Sequence, residues 1–362
     1  MTLAAAYCLG VRFVKFDSIA KPCNKGLSVA RGRPSRQSVY ARLQRSMTDL
    51  RERLGGLPSP VEAAYVWNDI WHLEAHHSTA LEGNTLVLRE VAALLDQGKA
   101  VGAKPLKEYM EVKGYGDAAH WVYGQALASD RAAPDRSLIT QTELRSIHYE
   151  VMSPVWLIAP HTDATDAESP GNFRQHDLHP FGAGMQPPSW PLVPAALEEW
   201  LQLANEMADD SEVPMPERAA EVHARFEQVH PFLDGNGRTG RLALNLVLVR
   251  MGWPPVIVLK QHRPAYLTAM QRADSGDFGA LGELLARAML DNLNRFILPS
   301  VAGPARLVPL NALTDQDLGI SALRAAARRG RLAAEQRSDG TWLSTRRAVE
   351  EYKSSRRRRG PR

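Results

Sequence analysis

The segment that most constrains the fold is RLALNLVLVRMG, residues 241–252, which is apolar around almost its whole circumference when drawn as a helix. A helix without a polar face must be surrounded by other elements, so this segment is predicted to be a central buried helix. Helical spacing of apolar residues recurs on both sides of 153–191 and predicts further helices, at 61–82, 85–98, 141–152, 193–208 and 216–229. The chain is therefore predicted to be mainly α-helical.

Composition places the chain among ordinary globular proteins. It has 362 residues, of which 44% are hydrophobic, and can bury a sizeable core. The two cysteines, Cys8 and Cys23, form neither a disulfide framework nor a zinc spacing, which favours a reducing compartment. No apolar run approaches the length of a membrane span, and the N-terminus is read as a disordered leader in preference to a signal peptide. We expect a cytoplasmic protein without membrane contact.

Residues 153–191 interrupt the helical pattern. The segment is rich in Pro, Gly and His and shows short alternating pieces without a helical period. This composition predicts a loop or a small β-hairpin.

The residues directly before the central helix, HPFLDGNGRTGR at 230–241, carry the chemistry. A glycine-bearing turn at a helix N-terminus exposes backbone N–H groups, which attract an anion together with the helix dipole. Arg238 and Arg241 share a helix face and can bind phosphate oxygens. Asp234 suits a magnesium ion shared with phosphates, and His230, with an ordinary pKa of roughly 6.5, suits a general base. The stretch predicts a nucleotide-polyphosphate site with a base aimed at an incoming hydroxyl.

Taken singly, His230 could be a core or capping histidine, the Gly-Asn-Gly sequence a plain turn, and the arginines part of the surface. Eight coordinated positions in one stretch argue against that alternative. The stretch resembles the signature of the Fic (filamentation induced by cAMP) family, His-x-Phe-x-Asp/Glu-Gly-Asn-Gly-Arg-x-x-Arg. Every defined position is matched, by His230, Phe232, Asp234, Gly235, Asn236, Gly237, Arg238 and Arg241. The resemblance covers about residues 140–300 and implies a compact helical domain.

The resemblance implies a protein adenylyltransferase that moves AMP from ATP to a Ser, Thr or Tyr hydroxyl of a target protein. In that family role His230 would deprotonate the hydroxyl, Asp234 would hold magnesium, and Arg241 would bind the γ-phosphate. The rest of the motif would bind the nucleotide and orient its phosphates, through Phe232, Gly235, Asn236, Gly237 and Arg238.

Other activities are also considered. Gly237 stands where the family's phosphotransferase branch has Lys, which argues against kinase-like transfer, whereas the phosphocholine branch is compatible with the motif. The same site could remove AMP from a modified target, with Glu82 positioning water, or act as a nucleotide sensor in a DNA-binding regulator. An intact base and metal ligand, His230 and Asp234, favour catalysis over sensing.

The same resemblance implies a role for the irregular segment 153–191. Family members carry a hairpin flap that holds the target by strand-like backbone pairing, and residues 170–190 occupy the matching place. Gly171, Phe173 and Arg174 are similar to the family's Gly-x-aromatic-Arg entry to this flap. A plain surface loop is the alternative.

Upstream, HSTALEGNT resembles the family's inhibitory motif, Ser/Thr-x-x-x-Glu-Gly/Asn, through Ser78, Glu82 and Gly83. Glu82 is predicted at a helix C-terminus, where the dipole disfavours a carboxylate by typically ~0.3–1 kcal/mol, so it should have a cationic partner. We expect a salt bridge to Arg241 that keeps ATP from binding productively; a solvated Glu is the alternative. Val87 departs from the family's Ser or Thr at the start of the next helix, which weakens a cap.

The chain becomes basic at its end. From Arg306 onward it carries 13 arginines and one lysine against six acids, a net charge of +8. A helix from Ser321 to Arg329, a hairpin at Asp339-Gly340 and a helix at 345–352 are predicted. With LTDQDLG as its first helix, this order resembles a winged-helix or excisionase-like DNA-binding module. Its phosphate or base contacts would come from Arg324, Arg328, Arg329 and Arg331. A solvated basic surface or a protein-binding module is the alternative.

The predicted architecture is therefore a mainly α, Fic-type helical domain with a small β-hairpin flap and a small C-terminal winged-helix-like module. A homodimer is left open. The predicted divisions are 1–38 for a disordered or basic extension, 39–139 for the helical region with the inhibitory motif, 140–304 for the catalytic core with its flap, 305–355 for the winged-helix-like module and 356–362 for a basic tail.

Overall fold

A computed structural model describes residues 34–58, 63–127, 137–178, 185–207, 212–301, 307–315, 317–337 and 340–357. All of the described helices and strands lie in the compact unit Ser35–Arg362. Most of the predicted N-terminal extension, including both cysteines, lies outside the described residues. The first helix already begins at Arg36, inside the extension predicted for 1–38. The other domain boundaries remain predictions.

The fold is mainly helical, as predicted. Its first eight helices are α1 (Arg36–Leu54), α2 (Ala64–Leu81), α3 (Leu88–Gln97), α4 (Leu106–Leu127), α5 (Gln141–Trp156), α6 (Val193–Asn205), α7 (Met215–Val229) and α8 (Asn236–Arg250). They are followed by α9 (Arg263–Asp274), α10 (Gly279–Asn292) and, after a π-helical turn, α11 (Leu298–Val301). None of the described helices combines the length and the apolar character that a membrane span requires.

Helix α8 lies at the centre, in contact with α2, α4, α5 and α7. Every residue from Arg238 to Val249 is buried, which confirms the prediction of a central helix. Its one polar residue in the apolar stretch, Asn245, is fully buried and hydrogen-bonded, since its Oδ1 accepts from the Val256 N–H at 2.8 Å. The helix begins at Asn236, two residues before the predicted start near Arg238, so Asn236 and Gly237 of the Gly-Asn-Gly sequence are helical.

A buried polar cluster fixes α2 against the core. The Glu74 carboxylate accepts hydrogen bonds from the hydroxyls of Tyr115 at 2.8 Å and Tyr123 at 2.5 Å, and from Nδ2 of Asn245 at 2.8 Å. Burial raises the pKa of Glu74 to about 7, although these hydrogen bonds oppose the shift. Because Glu74 lies one turn before Ser78 on the same helix, the cluster sets the position of the predicted inhibitory residues.

The stretch 170–190 contains no strand in its described parts, 170–178 and 185–190. A β-hairpin is therefore not formed by these residues, and 179–184 lie outside the described chain. Pro187 and Pro188 explain part of this result, because proline has no N–H to donate to a sheet. The two described parts are instead joined by Asp177, whose Oδ1 accepts from the Trp190 N–H at 2.7 Å.

The strands of the described chain lie in the C-terminal module. Strands β1 (Val308–Pro309), β2 (Ala334–Gln336) and β3 (Trp342–Ser344) form an antiparallel sheet in the order β1-β3-β2. Helix α12 (Ile320–Arg328) precedes β2, and α13 (Arg346–Arg357) follows β3. The antiparallel pairing of β2 with β3 and both of these helices agree with the prediction, while Asp339 of the predicted turn lies outside the described residues. The winged-helix assignment remains a prediction.

Two details of the module correct the sequence analysis. The predicted helix LTDQDLG is wrong, because only a 3-10 turn at Leu310–Leu313 precedes the loop. The Asp315 carboxylate accepts from the N–H groups of Asp317 and Leu318 at 3.0 and 2.9 Å, a local turn that competes with helix formation. Ser321 lies inside α12 and does not cap it, since the N-cap is Gly319.

Candidate active site

The predicted motif surrounds one cavity of about 670 Å³, between the C-terminus of α7, the N-terminus of α8 and the face of α9. Its lining includes eight predicted site residues: Glu82, His230, Asp234, Gly235, Asn236, Gly237, Arg238 and Arg241. The apolar and aromatic part of the lining includes Leu178, Leu233, Tyr266, Leu267 and Met270. Phe232, Ser78, Gly83 and the predicted flap-entry residues do not line this cavity.

His230 ends α7 in the left-handed conformation, with φ 46° and ψ 60°. It is the only non-glycine residue of the described chain with a positive φ. Its Nδ1 lies 3.1 Å from the carbonyl oxygen of Glu227; because a carbonyl only accepts, Nδ1 carries the hydrogen and Nε2 keeps its lone pair. Burial lowers the pKa of His230 to about 4, so the imidazole is neutral near pH 7 and Nε2 can accept a proton.

Arg174 holds the backbone of His230 in this conformation. It is almost completely buried, and its Nε donates to the His230 carbonyl at 2.9 Å, while its own N–H donates to the Pro231 carbonyl at 3.0 Å. Nη1 and Nη2 donate to the carbonyls of His176 at 3.1 Å and Pro188 at 2.6 Å. Arg174 was predicted as a flap-entry residue. It ties both described ends of the 170–190 stretch to the base.

His148 packs against Phe232 of the motif and bonds to the residues around it. The His148 ring stacks on Phe232 with centroids 3.7 Å apart, accepts from the Gly171 N–H through Nδ1 at 2.8 Å, and contacts the Asp234 carbonyl through Nε2 at 3.0 Å. Phe173 packs on the same phenyl ring at 5.4 Å. Phe232 is fully buried, so its predicted nucleotide contact is corrected to a packing role. His148 has no motif to reveal it in the sequence.

The turn before α8 is built by Gly235 and Asn236. Gly235 has φ 80°, and a Cβ there would lie 2.6 Å from the sulfur of Met152, so glycine is required on both counts. The Asn236 side chain bonds both to the N–H and to the carbonyl of Phe232, at 2.9 and 2.8 Å. Its amide group therefore shapes the loop, while Asn236 also lines the cavity, and its part in binding the nucleotide phosphates stays a prediction.

Asp234 presents a half-exposed carboxylate to the cavity. Its Oδ1 accepts from the Gly235 N–H at 2.6 Å, and the side chain is 43% exposed. No group of three or more His, Cys, Asp or Glu that could hold a metal occurs within the described chain. A magnesium ion that takes one protein carboxylate and completes its shell with substrate phosphates and water fits this arrangement.

Two guanidinium nitrogens of Arg238 have no hydrogen-bond acceptor. The residue is 5% exposed, and its Nη2 lies 3.4 Å from Oδ1 of Asp234. Its Nε and Nη1 are buried and have no hydrogen-bond partner. Leaving buried charged donors unsatisfied is costly, and a phosphate group is the ligand that a guanidinium binds best. The site is therefore prepared for an anion.

Arg241 is already paired with the predicted inhibitory residues. Its Nη2 donates to Oε1 of Glu82 at 2.8 Å and to the Ser78 carbonyl at 3.1 Å, and its Nε donates to Oγ of Ser78 at 2.7 Å. The expected Glu82–Arg241 salt bridge is confirmed. Burial would raise the pKa of Glu82, but the neighbouring Arg241 outweighs it and holds that pKa below its ordinary value, so the carboxylate remains ionised.

The C-terminal end of α2 places Glu82 in the cavity. It is the C-cap residue, and Gly83 follows with φ 103°, so the unfavourable helix-end position predicted for this carboxylate is confirmed. Gly237 makes room for it, because a Cβ at that position would lie 2.6 Å from Oε1 of Glu82. Val87 caps α3 without a hydroxyl, and its N–H donates to the Glu90 carboxylate at 2.9 Å.

The cavity combines a buried neutral imidazole with a helix N-terminus and unsatisfied guanidinium donors, so it can accept a proton beside a bound anion. Residues 138–248 match the family described as Fic/DOC, so this part of the chain is similar to that family. The chain is 28% identical over 270 residues to "Protein adenylyltransferase fic-1" of Caenorhabditis elegans, across 74% of this chain and 49% of the relative.

Two further comparisons agree. Over 206 residues the chain is 34% identical to "Protein adenylyltransferase Fic" of Culex quinquefasciatus, across 56% of this chain and 37% of the relative. A solved structure of a segment of Fic-1 from Caenorhabditis elegans matches with a TM-score of 0.58 at 26% identity, across 72% of each chain. The chain spans about half the length of the Caenorhabditis relative and less of the Culex relative.

Proposed function

We propose that this chain is a protein adenylyltransferase, which transfers AMP from ATP to a hydroxyl side chain of a target protein, and that Glu82 restrains it. The observation that carries this proposal is the pairing, in one cavity, of a neutral His230 with the buried, unpartnered donors of Arg238. The first group can accept a proton and the second can bind phosphate. The names of the relatives support the same activity.

The proposed reaction follows from these positions. Nε2 of His230 takes the proton from the target hydroxyl as that oxygen attacks the α-phosphorus of ATP. The bond from the α-phosphorus to the bridging oxygen breaks, and pyrophosphate leaves. Arg238 and the N–H groups at the start of α8 would bind the phosphates and stabilise their developing charge. Magnesium on Asp234 would neutralise further charge when bound.

Inhibition follows from the place that Glu82 occupies. Its carboxylate is bound to Arg241, the arginine assigned to the γ-phosphate, and lies close to the backbone of Gly237. A γ-phosphate cannot share that position with an ionised carboxylate, because like charges in contact repel strongly. ATP would then bind with its α-phosphate displaced from His230. The reverse reaction, in which Glu82 positions water to remove AMP, uses the same residues.

The partners and location are also proposals. The two N-terminal cysteines suggest a cytoplasmic protein, and the family suggests a protein target and leaves a homodimer open.

The role of Arg238 gives a direct prediction. Arg238→Ala in a Glu82→Gly background should weaken ATP binding by roughly 10–100-fold, because hydrogen bonds to charged groups contribute about 1.5–3 kcal/mol. Isothermal titration calorimetry with ATP and magnesium measures this change. Arg238→Lys should recover part of the loss, since it keeps the charge without the bidentate geometry. Arg225→Ala, an exposed arginine on α7, is the matched control. Equal affinity in the Arg238→Ala and control proteins contradicts the assignment.

A second candidate function is DNA binding by the C-terminal module. Its four predicted contact arginines are all exposed, and none of them forms an ion pair within the described chain. These arginines are Arg324, Arg328, Arg329 and Arg331. Exposed, unneutralised guanidinium groups on one short segment can displace counterions from a duplex.

Replacing all four arginines with Ala in the full chain should remove salt-sensitive retention on duplex DNA and leave auto-adenylylation of the Glu82→Gly protein intact. Fluorescence anisotropy at several salt concentrations measures the first effect and label transfer the second. A four-Lys variant should retain most of the non-specific affinity. If the unmodified chain does not bind duplex DNA at low salt, the module has another partner.

A further inference from the structure

One buried carboxylate in the cavity has no part in the mechanism above. Glu227 lies on α7 one turn before His230 and lines the same cavity. Its side chain is 13% exposed, and its Oε1 is buried without a hydrogen-bond partner. Its Oε2 lies 4.0 Å from Nδ1 of His230. Gly240 makes room for the group, because a Cβ there would lie 2.8 Å from Oε1.

His230 requires a negative neighbour during the reaction. When it takes the target's proton it becomes a cation, in surroundings that disfavour charge strongly enough to lower its pKa to about 4. Three carboxylates lie near it: Glu82, Asp234 and Glu227. Glu82 must leave the site for ATP to bind productively, and the charge of Asp234 would be offset by magnesium. Glu227 is the carboxylate that remains.

We propose that Glu227 is a positioning residue for His230, whose ionised carboxylate stabilises the imidazolium formed during AMP transfer. The proposal rests on the proposed adenylyltransferase function. A separation of 4.0 Å exceeds hydrogen-bond length, yet an opposite charge within about 4–6 Å favours the charged form of a titratable group. Glu227 thus acts twice: its carbonyl fixes the tautomer of the ring, and its carboxylate balances the charge.

Glu82 and Glu227 are coupled through their surroundings. Charged or titratable groups face Glu227 from four sides, namely His230 after α7, Arg241 on α8, Glu82 at the end of α2, and Tyr266 and Asp274 on α9. Burial raises the pKa of Glu227 to about 7; Arg241 opposes the shift, and Glu82 and Asp274 add to it.

Removal of Glu82 takes away a like charge and releases Arg241, so Glu227 should then ionise at lower pH. Since the ionised form is the supporting one, activity is lost as pH falls through the pKa of Glu227. The acid limb of the rate profile should therefore lie at lower pH in the Glu82→Gly protein than in the wild type.

The experiment compares Glu82→Gly with Glu82→Gly/Glu227→Gln. The Glu227→Gln substitution keeps the backbone carbonyl and the shape of the side chain but removes its charge. We expect kcat for auto-adenylylation to fall roughly tenfold or more, as for a weakened general base, while KM for ATP stays within about twofold and the acid limb assigned to Glu227 disappears. Glu82→Gly/Glu221→Gln, a carboxylate-to-amide change six residues earlier on α7, is the matched control and should leave both constants unchanged.

A titration of His230 provides the test that does not depend on activity. In protein 15N-labelled at histidine, NMR should show a lower His230 pKa in Glu82→Gly/Glu227→Gln than in Glu82→Gly, and an intermediate value in Glu82→Gly/Glu227→Asp. An unchanged His230 pKa, or an unchanged kcat with the acid limb intact, overturns the proposal. If the Glu82→Gly protein transfers no AMP at all, the proposed function fails, and the NMR result still decides the role of Glu227.

Discussion

Replacing His230 with Asn or Ala is expected to abolish transfer of label from α-labelled ATP to protein while ATP still binds. The reason is chemical: Nε2 of this ring is the proton acceptor assigned to the target hydroxyl, and a positioned general base contributes typically 10²–10⁴-fold in rate. The phosphate site remains, because the buried donors of Arg238 and the start of α8 are untouched. Label transfer and calorimetric ATP binding, measured in the Glu82→Gly background, separate the two effects.

His230→Asn is a cleaner test of the base than His230→Ala. His230 has a positive φ, a conformation that Asn adopts more readily than Ala, so loss of activity in His230→Asn reports loss of the base and not strain in the loop. Circular dichroism and thermal unfolding should match the parent protein. Label transfer at the parent rate in a folded His230→Asn protein would show that another group accepts the proton.

Replacing Glu82 with Gly is expected to raise auto-adenylylation by about a hundredfold or more, since misplacement of a reacting group costs on that order in rate. The substitution breaks the 2.8 Å salt bridge with Arg241 and clears the space beside Gly237. The gain should appear in kcat more than in ATP affinity, because the change improves orientation. Initial rates with α-labelled ATP, at saturating and subsaturating nucleotide, measure both.

Two variants make this result specific. Glu82→Gln keeps the size of the side chain and removes its charge, so it should be activated less than Glu82→Gly if occupancy matters as well as the ion pair. Arg241→Ala should not be activated, because it breaks the same salt bridge but also removes the γ-phosphate ligand. A folded Glu82→Gly protein that binds ATP and labels no faster than wild type excludes inhibition by Glu82. Loss of an AMP-removing activity on a pre-modified target would instead make the reverse reaction the main one.

The predictions that succeeded depend on local sequence patterns. The circumferential apolar pattern of 241–252 identifies the central helix, because only a surrounded helix tolerates it. The Glu82–Arg241 contact joins residues far apart in sequence, and it was predicted because each belongs to a recognisable motif. The unfavourable position of a carboxylate at the end of α2 added a physical reason to expect a cationic partner.

The roles that were wrong, or were missed, depend on packing between distant segments. Phe232 belongs to the signature, yet its side chain is fully buried and packs on His148, because a motif does not distinguish ligand contact from support. The same signature does not reveal that the Asn236 side chain shapes the loop. His148 and Glu227 carry no motif, and their roles arise where α5 and α7 meet the start of α8. The prediction of a helix at LTDQDLG was wrong for a local reason, because the Asp315 side chain forms a turn there.

The proposed function has two parts, AMP transfer in this cavity and its restraint by Glu82. The most direct test incubates the wild-type and Glu82→Gly proteins with magnesium and ATP labelled at either the α- or the γ-phosphate. We expect protein labelling from α-labelled ATP alone, about a hundredfold faster in the Glu82→Gly protein, with release of pyrophosphate. Labelling from γ-labelled ATP would show transfer of a different group, and equal α-labelling of the two proteins would show that Glu82 does not restrain the site.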